Sequence, residues 1–454
     1  MHFMPEEKSS TLRVIVGLGQ TGLSCARYLA KTGTPFAVMD TRLEPPALRE
    51  FKTEFPHTQL VLGGLDGNLL KQAGEIIVSP GLSSHEPLLV ECTKKQIPII
   101  GDIELFAKAA RAPICAITGS NGKSTVTSLV GAMARCAGLN VRIGGNLGTP
   151  ALSLLKNTEP DWYVLELSSF QLETTSSLSP AVATILNISP DHMDRYANLA
   201  EYIAAKLRIY RGCEFIVWNR DDNNTLPETV LRGISNISFG LNEPHSDEFG
   251  IIYSDAGPYL AFGEDRLLPV GDLALKGSHN WGNALAALSL GYAMALPMSA
   301  MLRTLQTFPG LPHRCQWVTE RKGISWYNDS KGTNVGASVA ALKGLAAGIM
   351  GKVILIAGGQ GKGADFSELR KPVAETTRAV ILIGEDAPKI EQALDGASPI
   401  FHSQSLEEAV SLAAQHARHG DAVLLSPACA SFDMFKNFEH RGEVFMAAVK
   451  ELLQ

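Results

Sequence analysis

Between residues 114 and 133 an apolar run, Ile114-Cys115-Ala116-Ile117, leads through Thr118-Gly119-Ser120-Asn121-Gly122-Lys123-Ser124-Thr125 into a stretch carrying Val126, Leu129, Val130 and Met133. The run reads as a buried strand, and the i, i+3, i+4, i+7 spacing as an amphipathic helix. A glycine-rich turn joining the two aims backbone N–H groups at one point. It adds the positive end of the helix dipole, which suits a phosphate. Gly119, Ser120, Asn121 and Gly122 would supply that cradle for ATP. Lys123 would reach the β- and γ-phosphates, and the hydroxyl of Ser124 or Thr125 would hold Mg2+. The full pattern has a glycine where this chain has Ile117, so the loop is a shortened variant. The competing reading is a plain strand-to-helix turn.

Three stretches of α/β character follow one another. Strands are expected at residues 13–16, 36–39 and 75–78, then at 114–117, 162–165 and 181–186, then at 324–327, 353–357, 379–383 and 422–425. Helical sequence separates them, as in parallel sheets that bind ligands at their C-terminal edges. The expected fold is α/β in three domains: a Rossmann-like domain over 1–101, a P-loop ATPase domain over 102–309 and a Rossmann-like domain over 310–454. A chain of 454 residues has room for this at ~100–200 residues per domain.

The net charge of −6 argues against a nucleic-acid partner, which favours a basic face. Residues 1–11 hold Glu6, Glu7 and Lys8 and no apolar signal core. Residues 284–302 are uncharged and long enough to suggest a membrane span. Ser289, Gly291 and Pro297 make a buried helix broken near Pro297 the better reading. Seven scattered cysteines without a CxxC pair fit free thiols in a reducing compartment and suggest no zinc site. A cytoplasmic protein without a membrane span is expected, and nothing asks for an obligate dimer, so a monomer is expected.

Two further groups carry chemistry. Glu166 ends the strand at 162–165, and a carboxylate at the tip of a neighbouring strand is placed to bind a phosphate-bound Mg2+. His192, in Asp191-His192-Met193-Asp194, follows the next strand and could be a second metal ligand. The bland alternatives are a surface glutamate and a structural histidine. Near the start, Gly17, Gly19 and Gly22 with Asp40 downstream resemble a dinucleotide fingerprint. Physically the pattern says only that a diphosphate can approach a helix N-terminus, which a nicotinamide dinucleotide or a uridine diphosphate satisfies equally.

Together these motifs resemble the Mur ligase family over nearly the whole chain. They include the phosphate loop, Glu166-Leu167-Ser168-Ser169-Phe170-Gln171-Leu172, Asp191-His192-Met193-Asp194-Arg195-Tyr196, Ala205-Lys206-Leu207-Arg208, His279-Asn280, Leu311-Pro312-His313-Arg314 and Asn328-Asp329-Ser330-Lys331. Gly358-Gly359-Gln360-Gly361-Lys362-Gly363 and Ser426-Pro427-Ala428-Cys429-Ala430-Ser431-Phe432-Asp433 complete the set and favour D-glutamate as the amino acid. The resemblance implies an ATP-dependent ligase of peptidoglycan precursor synthesis with UDP-N-acetylmuramoyl-L-alanine as acceptor, working through an acyl phosphate and releasing ADP and phosphate.

The same resemblance assigns Leu18, Thr21, Asp40, Thr41, Arg42 and Asn146 to the UDP-linked substrate. It assigns Asn280, Asn283, Arg314, Asp329 and Lys331 to ATP, and Thr333, Lys362, Ser431 and Phe438 to the amino acid. It implies two Mg2+ ions and a Lys206 carbamylated by CO2, which would join Lys123, Glu166 and His192 at the centre. Three other readings stay open: another Mur or folylpolyglutamate-type ligase with a different amino acid, an NAD-dependent oxidoreductase, and a non-catalytic nucleotide-binding scaffold.

Overall fold

A computed structural model describes residues 11–82, 86–193, 195–226, 233–275, 277–346 and 348–452. The N-terminal residues Glu6, Glu7 and Lys8, the motif residue Asp194 and the side chain of His279 lie outside the described residues.

Among the described residues the strands form three sheets of five, nine and six. The first runs in the order Leu60–Leu62, Phe36–Asp40, Arg13–Val16, Glu75–Val78, Ile99–Ile100, parallel throughout. This is the doubly wound order without a sixth strand, with the strand order reversing beside the first strand. The third sheet, from Gln316–Arg321 to Ile400–His402, is parallel except for its first pair, Gln316–Arg321 against Ile324–Asn328.

The central sheet sets up the site. Its strands Val182–Ile185, Ile114–Thr118 and Trp162–Glu166 are neighbours and parallel. The residues that follow all three therefore emerge at one edge. Helix Lys123–Cys136 packs Val126, Leu129, Val130 and Met133 into the same apolar cluster as Ala284, Leu285 and Leu288 of helix Ser278–Ala293. Burying side chains of this size contributes roughly 1.5–3 kcal/mol each. Residues 284–302 form no span: the helix stops at Ala293, and Pro297 caps a new one, Met298–Thr307. No helix among the described residues is long and apolar enough to cross a membrane.

The sequence reading missed an antiparallel meander, Phe249–Ser254, Gly257–Phe262 and Asp265–Pro269, which extends the central sheet at one edge. The signal was present in Gly263-Glu264, a two-residue loop opening on glycine between Phe262 and Asp265.

Candidate active site

The phosphate loop is held from beneath by the segment after Val182–Ile185. Ser120 N donates to Asn187 O (2.9 Å) and Asn121 N to Asn187 Oδ1 (2.8 Å). Ser120 Oγ donates to Ser189 O (2.9 Å). Gly122 stands at φ +81 as the N-cap of helix Lys123–Cys136, and a Cβ there would lie 2.4 Å from Asn283 Oδ1. Only glycine fits that place without displacing Asn283. Lys123 Nζ folds back onto Gly119 O and Ser120 O, 2.9 Å each, directly over the loop.

Glu166 is 2% exposed. Its Oε1 accepts from Asn146 Nδ2 (2.7 Å), while its buried Oε2 has no hydrogen-bond partner. A buried carboxylate oxygen left unpaired is costly unless a cation completes it. Lys206, on helix Leu199–Leu207, is 1% exposed. Its Nζ donates to Gly119 O (2.9 Å) and lies 4.6 Å from the Tyr202 ring centroid. Burial, and then the neighbouring Lys123 ammonium, hold the Lys206 amine well below the ordinary lysine range.

One cavity of about 650 Å3 is lined by Lys123, Ser124, Asn146, Glu166, His192 and Lys206 from the central lobe. Arg314, Lys331, Thr333, Lys362 and Phe438 line it from the C-terminal lobe. The lobes touch across it. Arg314 Nη2 donates to Ser124 Oγ (2.7 Å), and Asn334 Nδ2 donates to Asp191 Oδ2 (3.1 Å) and Asn121 Oδ1 (3.3 Å). Lys362 Nζ lies 3.6 Å from Asp191 Oδ1. Lys331 Nζ sits 3.8 Å above the Phe438 ring, and burial and then Arg314 pull its amine down to about 8.

A second cavity of about 300 Å3 adjoins the first and is lined by Thr125, Asn280, Asn283, Arg314, Asp329 and Lys331. Burial raises the Asp329 carboxyl to about 6, against a hydrogen bond from Ser426 Oγ (2.7 Å).

The structure thus gathers the expected phosphate-loop, strand-end and nucleotide residues, but not every expected group. Ser431 is buried and lines neither cavity, and its carbonyl accepts from Met434 and Phe435 N–H. Leu18, Thr21, Asp40, Thr41 and Arg42 lie in the N-terminal lobe and do not line the first cavity. There Asp40 accepts from Leu18 N (2.7 Å) and from Arg42 N, Nε and Nη2 (2.8–2.9 Å). Leu18 offers only backbone, because its side chain is fully buried. Asn146, assigned from sequence to the UDP-linked substrate, is bonded to Glu166. Asp191 was quoted from sequence only within the His192 motif, with no role of its own, and Asn334 was not singled out. The density of Asp, His and Asn after strand Val182–Ile185 was the available signal for Asp191.

Among the described residues no three His, Cys, Asp or Glu side chains form a ready metal cage. Glu166 with its open oxygen still fits a divalent cation that takes its other ligands from hydroxyls, phosphate or a modified lysine.

Comparison with known proteins matches residues 11–101 to the Mur ligase MurD-like N-terminal domain, 117–291 to the Mur ligase middle domain and 313–429 to the Mur ligase glutamate ligase domain. The UDP-N-acetylmuramoylalanine--D-glutamate ligase of Pseudomonas aeruginosa is 56% identical over 98% of this chain and 99% of its own length. The protein of the same name from Legionella pneumophila strain Paris is 51% identical over 97% and 99%. Among solved structures, UDP-N-acetylmuramate-alanine ligase from Thermotoga maritima superposes with a TM-score of 0.61 at 17% identity, covering 97% of this chain and all of that one. A pseudomurein peptide ligase type C from Methanothermus fervidus gives 0.60 at 19%, with the same coverage. These distant structures support the shared fold, and the sequence relatives, matched end to end at more than half their positions, settle the rest: the chain belongs to the Mur ligase family.

Proposed function

We propose that this chain joins D-glutamate to UDP-N-acetylmuramoyl-L-alanine with ATP, as a cytoplasmic step of peptidoglycan precursor synthesis. The names of its relatives support the choice of substrates. The observation that carries the chemistry is the convergence of Lys123, Glu166, His192 and Lys206 with Arg314, Lys331 and Lys362 on one cavity between two lobes.

In this reading a substrate carboxylate oxygen attacks the γ-phosphorus of ATP, and the bond from that phosphorus to the β,γ-bridging oxygen breaks. ADP and an acyl phosphate result. The neutral amine of D-glutamate then attacks the acyl carbon, the carbon–oxygen bond to phosphate breaks, and the amine proton leaves. Lys123 and Arg314 neutralise charge on the transferring group, where positioning and electrostatics supply most of the rate. Asn280, Asn283, Asp329 and Lys331 hold the nucleotide around the phosphate loop Gly119–Thr125.

Thr333, Lys362 and Phe438, which line the cavity, hold the amino acid, with the Lys362 cation meeting a carboxylate. Leu18, Thr21, Asp40, Thr41 and Arg42 hold the uridine diphosphate at its helix N-terminus, and Asn146 reaches the same substrate from beside Glu166. The lobes 1–101, 102–309 and 310–454 take these three tasks in order. Contact between the central and C-terminal lobes keeps water from the acyl phosphate.

Two Mg2+ ions, when bound, spread the phosphoryl charge. Ser124, Thr125, Glu166 and His192 would hold them. Lys206 would add a carbamate oxygen: its buried amine is biased to the neutral form that CO2 requires, and carbamylation would replace a cation with an anion. The protein acts as a monomer.

A substrate-omission assay tests this. Phosphate release needs both the UDP-linked acceptor and D-glutamate; release that is indifferent to D-glutamate would falsify the assignment. NADH oxidation would favour an oxidoreductase instead.

A further inference from the structure

We propose that Arg195 is a positioning residue that ties the orientation of His192 to the seat of the N-terminal lobe. This rests on the reading of His192 as a cation ligand given above.

The turn itself comes first. His192 lies at φ +58, and its carbonyl accepts from Arg195 N (2.9 Å) and Tyr196 N (3.1 Å). This brings the guanidinium of Arg195, 13% exposed, against four groups at once. Nη1 donates to Pro80 O and Leu82 O, 3.1 Å each, both in the N-terminal lobe. Nη2 donates to Glu173 Oε2 at 2.7 Å. The plane of the group covers the Phe170 ring, with its carbon 4.1 Å from the centroid. Lysine could not make this set, because only a planar fork reaches two carbonyls, a carboxylate and a ring face together.

Phe170 passes the constraint on. Its ring packs edge to face against His192, centroids 4.8 Å apart at 63°. Tyr196 stacks on it at 6.0 Å and donates its hydroxyl to the other oxygen of Glu173.

At the far end, residues 79–82 brace the glycine loop assigned to the diphosphate. Ser79 Oγ donates to Gly17 O (3.1 Å), and Leu82 Cδ1 lies 3.3 Å from where a Cβ on Gly17 would stand. Contacts thus run from Gly17 through Ser79 and Leu82 to Arg195, then through Phe170 to His192. Partners outside a metal's own ligands fix ligand orientation and affinity.

The test reads cation binding without turnover. Mn2+, standing in for Mg2+, is titrated into the full chain with ADP and followed by electron paramagnetic resonance. Arg195→Met and Phe170→Leu each weaken Mn2+ binding about 3- to 10-fold. The double variant is no weaker than the weaker single one, because both act through one path. Glu173→Gln, which loosens Arg195 and keeps the shape, shifts the constant in the same direction. In the turnover assay Arg195→Met also raises the KM for the UDP-linked acceptor, while the KM for D-glutamate stays within about twofold. An unchanged Mn2+ constant in Arg195→Met and Glu173→Gln, or effects of Arg195→Met and Phe170→Leu that multiply, overturns the proposal. Wild-type protein that binds Mn2+ and ADP as described but forms no product counts against the ligase reading alone.

Discussion

Arg314 of the C-terminal lobe donates from Nη2 to Ser124 Oγ of the phosphate loop across 2.7 Å, linking residues 190 apart in sequence. The contact puts a cation from one lobe at the loop where the other lobe is expected to hold phosphate. Arg314→Ala is expected to lower kcat/KM for ATP about 100-fold, equivalent to ~2.7 kcal/mol of transition-state stabilisation. Arg314→Lys keeps the charge, loses the fork and recovers only part of the rate. Steady-state kinetics with ATP as the varied substrate checks both.

Gly122 leaves no room for a side chain. Its φ of +81 disfavours any L-residue by about 1–2 kcal/mol, and a Cβ would meet Asn283 Oδ1 at 2.4 Å. Gly122→Ala is expected to weaken ATP binding about 10-fold or more, in line with ~1.4 kcal/mol per factor of ten. Calorimetric titration of the nucleotide measures it, and unchanged affinity would show that Asn283 moves freely.

Lys206 should carry a carbamate. Protein incubated with 13C-bicarbonate and Mg2+ is expected to give a carbamate carbonyl resonance that Lys206→Met lacks. Its amine lies below the usual lysine range because of burial and Lys123, so it is neutral at higher pH and cationic at lower pH. The resonance should therefore weaken as pH falls. A signal that persists in Lys206→Met would place the modification elsewhere.

Asp102 gives a stability prediction with a definite sign. The residue is 1% exposed, its Oδ2 accepts from Gln171 Nε2 (3.3 Å), its Oδ1 has no partner, and burial raises its carboxyl from 3.8 to about 6. A carboxyl whose folded pKa lies above its unfolded one favours the folded state when protonated. That contribution is lost as pH rises from about 4 to 6. Above that window the charged form costs up to about 3 kcal/mol. Asp102→Asn should raise the Tm at pH 8 and lose most of that advantage at pH 4. Thermal unfolding at both pH values decides it, and an equal shift at each would mean packing rather than charge is responsible.

The residues at strand ends were readable from sequence because two periodicities meet there. A run of apolar residues that stops at Glu166, or gives way to Asn187 and Asp191, marks a sheet edge whatever the partners are. What links the lobes was not readable. Asn334 and Asp191 are 143 residues apart, and neither belongs to a pattern that names the other. A lysine on a helix is by default a solvated one, and only the resemblance marks Lys206. Its burial under the phosphate loop depends on how helix Leu199–Leu207 packs. Asp40 was readable as the polar end of a strand, but the hydrogen bonds it accepts from Leu18 and Arg42 were not. The need to hold a tight loop decides that pairing, and loop closure leaves little periodic trace.

The most direct test of the account follows oxygen. UDP-N-acetylmuramoyl-L-alanine labelled with 18O in the alanine carboxylate is turned over with ATP, Mg2+ and D-glutamate, and the released phosphate is analysed by mass spectrometry. Activation of the carboxylate as an acyl phosphate predicts one 18O in each phosphate. Product formed with unlabelled phosphate would contradict it.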